Sequence, residues 1–121
     1  MKYLLLMLLI LSCSKKKVEL VKGDILWQKL ETAAHHSGLH LAKHSDTKNF
    51  VTCTTYAAGC VGVIRGKLEL VTFSLVEFKT PEAASKEAKR LKQYAYLNWL
   101  IDDTKGEPFL ENFFQHAIEL K

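Results

Sequence analysis

Little in this 121-residue sequence advertises a chemistry. Its longest unbroken apolar run, Tyr3–Leu11, has nine residues, well short of the roughly 20 that a membrane-spanning helix needs. There are only two prolines and no low-complexity tract, and 48% of the residues are hydrophobic against 25% charged. That balance excludes a disordered chain for the bulk of the molecule. No P-loop, Rossmann glycine run, metalloprotease motif or nucleophile motif is present, and no internal repeat. The two cysteines beyond Cys13 do not form a C-x-x-C pair. The formal charge of +4 is modest, and its excess is concentrated in one place. At this length there is room for one domain.

The first thirteen residues differ from the rest. A basic start, Met1-Lys2, leads into the apolar run, and Ser12-Cys13 closes it. The run has the length of the hydrophobic region of a signal peptide. Ile10-Leu11-Ser12-Cys13 resembles the lipobox of bacterial lipoprotein signal peptides. The resemblance implies cleavage before Cys13 and diacylglycerol on its thiol, hence a bacterial envelope protein held by lipid. A stable anchor of this kind takes more than one acyl chain, since each buried CH₂ contributes about 0.8 kcal/mol.

Ser14-Lys15-Lys16-Lys17 follows directly. Removing residues 1–12 takes away one lysine and no acid, leaving about +3, and the lysine triplet supplies all of it. The charge is thus a property of the tether, and no nucleic-acid surface is implied. Lys15, Lys16 and Lys17 beside a lipid can rest on anionic headgroups, or serve as a soluble spacer. Ser14, in place of the Asp that commonly marks inner-membrane retention in the resembled class, is compatible with transport to the outer membrane. The expected organisation is a signal peptide over 1–12, a lipidated basic tether over 13–23 and one domain over 24–121.

Within that domain, Asp24 is a candidate N-cap for a helix over 25–37 with Leu26, Leu30 and Ala33 on one face, stopped by Gly38. Residues 39–78 are rich in β-formers. The pattern predicts strands at 39–44, 50–56 and 60–64, a tight turn at Arg65-Gly66-Lys67, and a long strand over 68–78. Thr80-Pro81-Glu82 opens a second helix, with Thr80 as N-cap and Pro81 at the first helical position. Its stripe is Ala84, Ala88, Leu91 and Ala95. Residues 94–101 read as a further strand, because Tyr, Trp and Ile favour one. Pro108 starts a last helix with Leu110, Phe113, Phe114 and Ala117 inward. The fold class is α+β, an antiparallel meander of three to four strands with three helices mainly on one face. The stretch from Phe78 to Leu110 is similar in cadence to uncharacterised small bacterial envelope proteins, which brings no function with it.

Three groups of residues carry potential chemistry. With Cys13 lipidated, Cys53 and Cys60 form an even pair in an oxidising compartment, and a structural disulfide is expected, free or metal-binding thiols and a redox pair being the alternatives. His35, His36, His40 and His44 crowd into ten residues. They suggest a metal site if they share a face, and a solvated helix end otherwise. Asp102, Asp103 and Glu107 form an acidic turn beside Trp99. Tyr94, Tyr96 and Trp99 are candidates for an exposed apolar patch. The expected function is a non-enzymatic binding or structural domain without cofactor, tethered to the envelope through Cys13, with the membrane and an envelope protein as partners. The alternative is a periplasmic metal or small-ligand binder using His35–His44.

Overall fold

The computed structural model describes residues 19–44 and 53–120. Helix α1 spans Gly23–His36, strand β1 Leu41–Lys43, a 3₁₀ turn Cys53–Thr55, and strands β2 and β3 Cys60–Leu68 and Val71–Phe78. Helix α2 follows at Pro81–Leu91, then β4 at Tyr94–Tyr96, β5 at Trp99–Asp102 and helix α3 at Pro108–Ala117. The strands form one antiparallel sheet in the order β1-β2-β3-β5-β4. The fold is α+β, as the pattern predicts, with five strands.

Side chains alternate across each strand, so one sheet builds two cores. On one face Leu68, Phe73, Leu75, Trp99 and Ile101 meet Leu26, Leu30 and Ala34 of α1 and Leu110, Phe113 and Phe114 of α3. On the other, Val76, Phe78 and Leu100 meet Ala84 and Ala88 of α2. The small alanine stripe lets α2 lie close to the sheet. Ala95, which the helical spacing assigned to the same stripe, joins this core from β4 instead.

Local signals place the helix ends well. The Thr80 hydroxyl accepts a hydrogen bond from Ala83 N at 3.1 Å. Gly38, at φ +68°, ends α1: its own N–H donates to His35 O, and Leu39 N donates back to Ala34 O. The start of α1 differs from expectation. It begins at Gly23 with Lys22 in the cap position, and the Asp24 carboxylate accepts from the neighbouring Ile25 N.

Three strand assignments change. The predicted turn at 65–67 lies within the last part of β2; the chain turns at Glu69-Leu70, with Glu69 at φ 54° and bonded both ways to the His40 backbone. Residues 94–101 are a hairpin rather than one strand. Leu97 at φ 51° and Asn98 turn the chain, because Asn98 is buried and anchors the turn through its own side chain. Of the strand expected at 50–56, residues 50–52 lie outside the described part, and Cys53–Thr55 is a 3₁₀ turn instead. The turn expected at 45–48 also lies outside it.

Asn98 ties the chain's entry to the sheet. Its Oδ1 accepts from Val21 N at 2.8 Å, its Nδ2 donates to Phe78 O at 3.3 Å, and the Trp99 indole donates to Val21 O at 2.7 Å. Trp99 is therefore fully buried, and the expected exposed patch does not include it. Tyr94 and Tyr96 are half-buried under lysines, Lys105 over Tyr94 and Lys29 over Tyr96.

Candidate functional site

Among the described residues, several polar and titratable side chains converge on the α2-bearing face of the sheet. Cross-strand register sets Arg65 of β2 opposite Ser74 of β3, and Ser74 opposite Asp102 of β5. Directly opposed residues in antiparallel strands point the same way, so these three form a polar row across the sheet. The neighbouring row, Val63, Val76 and Leu100, is apolar and covered by α2. The polar row is closed instead by Tyr56, whose phenol donates to Asp102 Oδ2 at 2.7 Å. Ser74 is buried and stands close enough to Tyr56 and Asp103 to act on the titration of both.

The electrostatics follow from this packing. Burial pushes the Tyr56 phenol well above its ordinary value, and the hydrogen bond to Asp102 and the charges of Asp102 and Asp103 push the same way. It stays a neutral donor across the physiological range. Burial also raises the Asp103 carboxyl, with Asp102 adding to the shift while Arg65 and Ser74 oppose it. The Nε of Arg65 is buried without a hydrogen-bond partner among the described residues. A phenol donor, a hydroxyl, a guanidinium and two carboxylates can hold a polar group.

Two further bonds fix the segment that carries Tyr56. Cys53 and Cys60 form a disulfide, with Cα atoms 5.4 Å apart. Ala57 N donates to Glu87 Oε2 of α2 at 2.6 Å. Glu87 is only 1% exposed and is held by Arg90, whose Nη2 lies 2.9 Å from the same carboxylate. The Arg90 hydrogen bond, with help from Ala57 N, holds the Glu87 carboxyl below its usual range against the opposing effect of burial. Reducing the disulfide is expected to lower the unfolding free energy by about 2.5 kcal/mol in the chain-entropy account of so short a loop. Urea denaturation with and without a dithiol reads the shift. An unchanged midpoint would mean that Glu87 and Tyr56 alone hold the segment.

The histidines do not assemble. His35 and His36 end α1 with ring centroids 6.3 Å apart, His40 lies beyond Gly38, and His44 follows β1 with its N–H on Arg65 O. Among the described residues no group of three or more His, Cys, Asp or Glu is placed to hold a metal ion. His35 and His40 border a shallow depression of about 230 Å³ with Glu31 and Leu39. The acidic turn is divided: Asp102 belongs to the polar row, Asp103 stands at its rim, and Glu107 occupies the N-cap position of α3 without a side-chain cap bond. A wider groove of about 610 Å³ runs between the β4–β5 hairpin and the C-terminal end of α3, past Glu19, Lys29 and His116.

Tyr56, Arg65, Ser74 and Glu87 escape sequence reading. Ser74 offers a signal, as a polar residue in the apolar strand LVTFSLVEF. Its partners depend on register and cannot be read locally. No family model, curated protein or solved structure is similar to this chain at a level that carries an argument, so the site rests on its own geometry.

Proposed function

We propose that the protein is a lipid-anchored component of the bacterial cell envelope. It is cut before Cys13, held by acyl chains on that cysteine, and faces the periplasm from the outer membrane. Lys15, Lys16 and Lys17 rest on anionic headgroups. The α+β domain binds an envelope protein or serves the envelope structurally, and has no catalytic role. The observation that carries this reading is Ile10-Leu11-Ser12-Cys13 closing an apolar run behind a basic start. The Cys53–Cys60 disulfide supports it in two ways. A structural disulfide suits an oxidising compartment, and the pairing leaves Cys13 available for lipid.

The polar row supports a binding or structural role over a chemical one. Its hydrogen bond runs inward, from the Tyr56 phenol to Asp102 of the same sheet, and Arg65 partly offsets the two carboxylates. Against the metal-binding alternative stands the lack, among the described residues, of three His, Cys, Asp or Glu side chains placed to hold one ion.

Labelling cells with palmitate tests the anchor. The wild-type chain is expected to take up label and to leave membranes only with detergent, and Cys13→Ala to take up none. Equal labelling of the two would refute lipid attachment at Cys13.

A further inference from the structure

We infer that the end of the domain where the chain enters the sheet, Leu20 with the first turn of α1, lies against a phospholipid surface, and that the β2–β3 hairpin tip points away from it. This rests on the anchor at Cys13 and adds an orientation to it.

The entry point is fixed. Both backbone groups of Val21 are bonded to the β4–β5 hairpin, N–H to Asn98 and C=O to the Trp99 indole. Asn98 in turn holds Phe78 O, so Val21 sits at the Phe78 end of β3. From Cys13 to Val21 there are eight residue steps, at most about 29 Å fully extended. A domain of this size is about 33 Å across by the usual scaling of compact chains. The tether is thus shorter than the domain it carries. With Lys17 on the headgroups, only three steps remain to Leu20, about 11 Å at full stretch.

The surface at that end has the character a lipid boundary accepts. Leu20 is 56% exposed and Ile25 47%, two of the few large apolar side chains in the described fold that face outward. Around them Glu19 and Asp24 offset Lys22 and Lys29, so the patch itself is near neutral. The lysine triplet of the tether supplies the attraction to anionic lipid, and Leu20 and Ile25 supply the apolar contact. Leu70, 86% exposed, is the counter-example. It caps the β2–β3 turn, a full strand length from Phe78, roughly 23 Å at the usual rise per residue. In the inferred pose it faces away from the lipid, where a partner in the aqueous phase can reach it.

Single tryptophan reporters in the full lipidated protein test the pose. Leu20→Trp, Ile25→Trp and Leu70→Trp are reconstituted in vesicles of three parts phosphatidylethanolamine to one part phosphatidylglycerol, with and without brominated acyl chains. The wild type, with buried Trp27 and Trp99, sets the baseline. Added emission from positions 20 and 25 is expected to fall by about half, as for side chains at the headgroup–acyl boundary, and emission from position 70 to stay unchanged. Equal quenching at all three positions, none at 20 and 25, or quenching at 70 alone overturns the orientation. The mass of the same sample reports the lipid on Cys13. Lipid present without the quenching pattern refutes only the orientation, and lipid absent refutes both readings.

Discussion

Gly66→Ala is expected to destabilise the fold by about 3 kcal/mol, at the upper end of what overpacking a well-filled core costs. A methyl group at Gly66 would meet Phe73 Cζ at 2.4 Å and Cε2 at 2.7 Å. The two residues are cross-strand partners, and the Phe73 ring lies directly over the glycine. The ring has little room to yield. Phe73 is fully buried, edge-on to Phe114 at 5.1 Å between centroids, and stacked with Trp27 at 6.5 Å. Covering a strand glycine with an aromatic ring is a known way to pin register. With domains of this size stable by about 5–15 kcal/mol, the loss consumes much of the margin. Urea denaturation measures it. The double variant Gly66→Ala with Phe73→Leu is expected to recover part of the loss, because the smaller side chain removes the clash. A single variant as stable as wild type would show that the ring is free to move.

Glu87→Ala is expected to cost about 2–3 kcal/mol, because Ala57 N–H loses its acceptor in a part-buried site. Arg90 is itself 57% exposed, so its charge returns to water and adds little to the loss. Glu87→Gln keeps an acceptor for Ala57 and is expected to cost less. Wild type and Glu87→Gln also separate in their pH dependence. The folded-state carboxyl of Glu87 lies below its ordinary value near 4.5. Its ionised form therefore stabilises the fold above the unfolded value, and that contribution disappears as pH falls through the folded value. The gap between wild type and Glu87→Gln is expected to be full at neutral pH and to close on acidification below about 4.5. A gap independent of pH would mean that the charge of Glu87 contributes nothing.

Both sites bear on what the sequence can disclose. Thr80-Pro81 and Gly38 are legible because caps are local: the partner of each group lies within five residues. Gly66 is misleading because glycine serves two needs that look alike in sequence, a turn with positive φ and a close approach of another group. Only the position of Phe73, seven residues on and across a hairpin, separates them. The turn that does reverse the chain uses Glu69 and Leu70, which no turn preference selects. The same holds for Leu97 at the β4–β5 turn. There the burial of Asn98 and its three hydrogen bonds, not a local preference, set the conformation.

The candidate site was legible only in part. Cys53 and Cys60 pair as their spacing suggests. Asp102 was visible as an acidic residue in a turn, but its partner Tyr56 lies 46 residues away. Arg65 and Ser74 meet it only through the register of three strands. The histidines illustrate the reverse case. They are close in sequence, but the left-handed turn at Gly38 parts His36 from His40.

Cys13 stands at the centre of the account, since compartment, disulfide state and orientation all depend on it. Mass spectrometry of the native protein, taken from its own membranes, tests it most directly. The account predicts an N-terminus at Cys13 and a mass increased by diacylglycerol on its thiol. An N-terminus at Met1, or an unmodified thiol at Cys13, would contradict it.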